Sequence, residues 1–79
     1  MNMKKRKVKR VFTVREVIKA LELNGWVMTH MNGDHRQYHH DGNPFVITIA
    51  GHLCDEIPKG TLGNIQRLSG LRFREIVVW

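Results

Sequence analysis

The sequence predicts an α+β domain of order α-β-β-β-α, in which two helices cover one face of a three-stranded antiparallel sheet. Three features point to it. A T-x-x-E box at Thr13 and Glu16 opens a run with apolar residues at helical spacing. Two turn clusters, Asn32-Gly33 and Asp41-Gly42-Asn43-Pro44, separate three β-prone runs. A second helical stripe, Leu62, Ile65 and Leu68, follows Pro58 and stops at Ser69-Gly70. At 79 residues the chain is one domain, near the lower size at which a single hydrophobic core carries a fold unaided, so no large substrate-enclosing cavity is expected.

The chain begins with a basic arm. Lys4, Lys5, Arg6, Lys7, Lys9 and Arg10 are six of the 13 basic residues, and the other seven are balanced by the seven acids. The formal charge of +6 therefore belongs to the first ten residues. Residues 1–12 read as a flexible arm, either a solvated terminus or one that holds phosphates by counterion release. Positive charge alone identifies no nucleic-acid enzyme.

The first helix is expected over residues 14–24. Thr13 and Glu16 can each satisfy a backbone N–H at its start, and Phe12 with Val17 fits a hydrophobic staple. Val14, Val17, Ile18 and Leu21 share one face, which reads as core rather than partner surface, and Asn24-Gly25 tolerates the left-handed ending. From Trp26 to Met31 the chain turns β-like, with Trp26 a core residue rather than a base-stacking platform. Asn32-Gly33 is a two-residue hairpin signal that needs positive φ, and a second strand over 35–40 pairs back. Phe45 to Ile49 is a β-branched, aromatic third strand with Phe45, Ile47 and Ile49 on one face. Residues 51–58 read as a loop. Beyond the second helix, residues 72–79 hold Phe73, Ile76, Val77, Val78 and Trp79, too apolar for a free tail, and periodicity does not decide between helix and strand.

Composition removes several classes. No run approaches the roughly 18 apolar residues of a membrane span. Lone Cys54 excludes an intrachain disulfide, and no apolar stretch follows the basic start, so no secretory signal is read and the expected location is the cytoplasm. Five histidines and Cys54 fall within residues 30–54, yet no C-x-x-C or H-E-x-x-H spacing is present. His35 and His39 stand about 13 Å apart on a strand, too far to share one ion. No metal or other cofactor is expected. Ser69 is the only serine and stands at a helix end, which disfavours a nucleophile triad.

Four stretches resemble a known family. They are Asn24-Gly25-Trp26 after the first helix, Gly33-Asp34-His35-Arg36-Gln37-Tyr38, Thr48-Ile49-Ala50-Gly51-His52, and Lys59-Gly60-Thr61-Leu62 with Ile65 and Gly70-Leu71. Together they are similar to the HicA toxins over residues 13–71. Each motif is weak alone, but four in order within so short a chain are specific. The resemblance implies a fold like the double-stranded-RNA-binding domain, an mRNA interferase activity in a bacterial toxin–antitoxin pair, and neutralisation by a HicB antitoxin. His35 occupies the histidine of the family's G-S-H-x-x-F/Y signature and would be the catalytic residue, Gly33 makes the turn presenting it, and Tyr38 takes the aromatic position. Asp34 replaces the usual Ser; a carboxylate there would repel phosphate, which predicts lowered activity or a moved pH optimum.

The chemistry is reasonable on its own terms. RNA carries its own nucleophile, the 2′-hydroxyl, so an enzyme needs chiefly a base that works near neutrality and positive groups for the phosphate. On a strand, His35, Gln37 and His39 project to one face and Arg36, Tyr38 and His40 to the other, so Tyr38 meets the helices and His35 the open side. Gln37, His39, His52 and Lys59 are candidate substrate contacts, Lys59 at a helix start that favours phosphate. Two classes stay open: a metal-independent endoribonuclease using His35, or a non-catalytic RNA-binding module of the same fold. A degenerate toxin that only binds its antitoxin is a third reading, and assembly as a homodimer or with the antitoxin is left open.

Overall fold

The computed structural model describes residues 6–9, 11–73 and 75–78. In chain order the elements are β1 (Arg6–Lys9), α1 (Val14–Leu23), β2 (Val27–Asn32), β3 (His35–His40), β4 (Asn43–Ala50), α2 (Lys59–Ser69) and β5 (Glu75–Val78). β2, β3 and β4 form an antiparallel sheet in that order, so the three-stranded meander between two helices is as the sequence predicts.

Helix α1 starts where its cap chemistry demands. Glu16 N donates to Thr13 Oγ1 at 3.2 Å and Thr13 N to Glu16 Oε1 at 2.9 Å, so two amide groups that have no intrahelical partner are satisfied reciprocally. Val14, Val17 and Leu21 are buried on its inner face, as the stripe requires. At the other end of the chain, Gly70 caps α2 at φ 77°, and Leu62 and Ile65 are that helix's buried contribution. Between the helices and the sheet lie Trp26, Tyr38, Ile47 and Ile49, each 3% exposed or less. Burying side chains of this size is worth about 1.5–3 kcal/mol each.

Two expectations are corrected in detail. The first hairpin turns one residue later than expected: Asn32 pairs with His35, and the loop is Gly33-Asp34, with Gly33 at φ 63°. Phe45 does not share the buried face of Ile47 and Ile49 but is 48% exposed. The pairing of β3 with β4 shifts between Tyr38↔Ile47 and His40↔Asn43, which leaves residues 44–46 as a bulge opposite His39. Pro44 lacks the N–H a ladder needs, and Phe45 N instead donates to Asn43 Oδ1 at 2.9 Å, so the alternation breaks there. Within the basic arm, Arg6–Lys9 is strand β1, antiparallel to β5 with Arg6 opposite Val78 and Lys9 opposite Glu75. That pairing also makes part of the 72–79 tail a strand. Lys4, Lys5, Arg10 and Trp79 lie outside the described residues.

Loop 51–58 is held by backbone bonds rather than by regular structure. Val14 N donates to Asp55 O at 2.9 Å, Arg15 N to Leu53 O at 3.0 Å, and Ile57 N to Phe12 O at 2.8 Å. The loop therefore pins the start of α1 to the end of β4, next to the β2–β3 turn.

Candidate active site

The sheet's two faces divide as the alternation requires. Tyr38 is 2% exposed beneath the helices, while His35 stands exposed on the opposite, open face. Burial raises the Tyr38 phenol above its ordinary value; the Glu22 carboxylate pushes the same way, and the Arg36 guanidinium pulls it back. Because β3 is central, its open face is flanked on both sides: Asn32 and Ala50 lie opposite His35, and His30 and Thr48 lie opposite Gln37.

His35 begins β3 directly behind the Gly33-Asp34 turn. Its Nδ1 lies 3.2 Å from Asp34 Oδ1, with side chains 63% and 47% exposed. The contact takes up the Nδ1 side of the ring and leaves Nε2 as the nitrogen open to a substrate. The turn itself is tied down. Gly51 N donates to Asp34 O at 3.2 Å, and the Arg36 guanidinium reaches from the other face to Gly51 O at 2.9 Å and Asp34 O at 3.4 Å. Arg36 is thus a clamp between the His35 turn and loop 51–58, its long side chain curling around the strand end.

The other sequence-selected residues fall into three places. Gln37 and His39 follow His35 along the open face at two-residue steps, about 7 Å each. His39 Nδ1 lies 2.5 Å from Thr29 Oγ1, at the point where the β2–β3 register shifts between Met28 and His30. His52 is exposed in loop 51–58, one residue beyond Gly51, and its backbone N donates to Asp55 Oδ2 at 3.0 Å. Gly51 sits at φ 110°, and a Cβ there would lie 3.2 Å from Asp55 Oδ2, so glycine is required for this turn. Lys59 stands apart: it opens α2 and lines a groove with Phe12 and Leu62, not the open face. His40 is turned inward, its ring 5.3 Å from that of Trp26, and so belongs to the core side.

The arrangement offers a solvent-accessible imidazole with a carboxylate beside Nδ1, polar neighbours at strand spacing, and a face broad enough for an extended chain. Among the described residues, no three His, Cys, Asp or Glu side chains come together in a way that could hold a metal ion. Nor, among them, is any helix long and apolar enough to cross a membrane.

No curated protein matches the chain. A family model for the HicA toxin of bacterial toxin–antitoxin systems matches residues 14–71, which takes in both helices, all three strands of the meander and the turn before His35. Since that match covers well over half of the sequence, the chain belongs to the HicA toxin family.

Proposed function

We propose that the protein is the toxin of a type II toxin–antitoxin pair and acts as a metal-independent endoribonuclease on mRNA in the cytoplasm, with His35 as its catalytic base. One observation carries the reading: His35 lies exposed on the open sheet face, behind the hydrogen-bonded Gly33-Asp34 turn, with Nδ1 against Asp34 and Nε2 open to a substrate. Nε2 takes the 2′-hydroxyl proton of a bound ribonucleotide, and the 2′-oxygen attacks the adjacent phosphorus. The bond to the 5′-oxygen breaks, that oxygen leaves as a hydroxyl on taking a proton from solvent, and the other product ends in a 2′,3′-cyclic phosphate. Gln37 and His39 on the same face, and His52 beside the turn, are placed to contact phosphate or the 2′-hydroxyl. Lys59 contributes positive charge at the start of α2. A HicB-like antitoxin neutralises the toxin by covering the open face.

The Asp34 carboxylate favours a second reading, a non-catalytic RNA-binding module or a toxin that retains only antitoxin binding, because its negative charge beside His35 repels a phosphate. Substitution of His35 separates the two. In the ribonuclease, His35→Ala abolishes cleavage and leaves RNA affinity nearly unchanged; in the binding module, neither protein cleaves.

A further inference from the structure

A groove of about 720 Å³ runs along α2 on the side of the domain away from the open sheet face. Among the described residues its charged lining is Lys59, Arg67 and Arg72, with no carboxylate. The sequence explains why: from Ile57 to Phe73 the chain holds no acidic residue. Lys59, Gly63 and Arg67 follow at four-residue spacing, hence on one face of α2, and the two cations are about 12 Å apart along the axis. Between them, a Cβ at Gly63 would meet nothing within 4 Å, so the helix backbone is open to close approach. The aromatic wall, Phe12, is only 7% exposed and already stacks edge-on against Phe73, so it offers no platform for bases.

The groove also ends where the basic arm begins. Phe12 lies three residues after Lys9, and Arg72 three residues before Glu75, so the β1–β5 ribbon starts within roughly 11 Å of chain from the groove on both strands. β1 contributes Arg6, Lys7 and Lys9 to the sequence at that end. The result, among the described residues of the groove, is a line of three cations from Arg72 to Lys59 at the start of α2, without a stacking surface and without a carboxylate. That is the complement of a sugar–phosphate backbone rather than of bases.

We propose that this groove is a second RNA-binding surface, a backbone track in which Lys59, Arg67 and Arg72 meet successive phosphates of a long substrate. The inference takes its ligand from the ribonuclease reading above, but its readout is binding, so a protein that cleaves nothing still tests it. The probe is a fluorescein-labelled single-stranded RNA, titrated by anisotropy with His35→Ala protein in EDTA at several salt concentrations. Each phosphate contact in a single strand contributes about 0.7 to the slope of log affinity against log salt. Arg67→Ala and Arg72→Ala should each lower the slope by about that amount and weaken binding several-fold at physiological salt, uniformly across RNA sequences. Arg67→Lys, which keeps the charge, should restore the slope. Lys19→Ala, on the exposed side of α1 outside the groove, is the control and should leave the slope unchanged. If the Arg67 and Arg72 variants melt like their parent and keep its slope, the track is overturned. If they keep it but lose binding to a co-expressed antitoxin, the groove belongs to a protein partner and the track is equally overturned.

Discussion

Arg36→Ala tests whether the turn that presents His35 is held from the opposite face of the sheet. The guanidinium makes one well-formed bond, 2.9 Å to Gly51 O, and one long bond, 3.4 Å to Asp34 O. A hydrogen bond to a charged group is worth about 1.5–3 kcal/mol. Two details place the loss at the lower end. Asp34 O keeps its bond from Gly51 N, and Gly51 is half-buried, so water can reach the carbonyl that Arg36 vacates. The expected cost is about 1–2 kcal/mol, and for a domain of this size each kcal/mol lowers Tm by about 4–8 °C. Thermal unfolding followed by circular dichroism would read it directly. Arg36→Lys should recover part of the loss, since an ammonium can reach one carbonyl but not fork between two. RNA cleavage should fall by roughly 100-fold, the scale of a displacement near 1 Å in a catalytic group. An Arg36→Ala protein that melts within a degree of the parent would refute the clamp.

Gly33→Ala should cost about 1 kcal/mol, because the turn needs φ 63° while the space for a methyl is open, and Gly33→Asn should cost less, since Asn tolerates that region; chemical denaturation of both variants checks the order. Thr13→Ala removes one half of the α1 capping box and should destabilise by about 1 kcal/mol, measured the same way. Tyr38 is the only tyrosine, and its phenolate absorbance should titrate above the ordinary value of 10.0 in the folded protein. The raised value means that the folded state holds the phenol proton more tightly than the unfolded chain does. The associated stability is therefore complete below about pH 10 and lost as pH rises through the folded value, and Tyr38→Phe should flatten that alkaline loss.

Much of the fold is legible in the sequence because local and tertiary preferences agree there. The Thr13 box, the apolar stripe Val14, Val17 and Leu21, and the left-handed Gly70 stop each satisfy a local requirement that the core then uses. Where a single residue alters register, local signals mislead. Asn32-Gly33 marks a turn, but pairing Asn32 with His35 moves the loop by one position. Pro44 marks a turn too, and its missing donor turns Phe45 out of a face that strict alternation assigns to the core. The pairing of β1 with β5 joins the two ends of the sequence, and no local pattern announces a contact of such separation.

The candidate site shows the same division. Period-two alternation separates His35 from Tyr38 correctly, because one aromatic ring in the core fixes the sense of the whole strand. Alternation does not show that Arg36 reaches back past the strand end, that Thr29 meets His39 across a bulge, or that Lys59 lines a different surface from His35. The Arg36 contact depends on loop 51–58, whose shape is set by backbone bonds to α1 and by the Asp55 carboxylate on His52 N.

The most direct measurement is cleavage of a long single-stranded RNA by the purified protein in excess EDTA, parent beside His35→Ala, with both shown to be folded by thermal melting. The account predicts cuts by the parent alone, leaving 2′,3′-cyclic phosphate and 5′-hydroxyl ends. Equal cleavage by both proteins, or none by either while RNA binding persists, would contradict a catalytic His35.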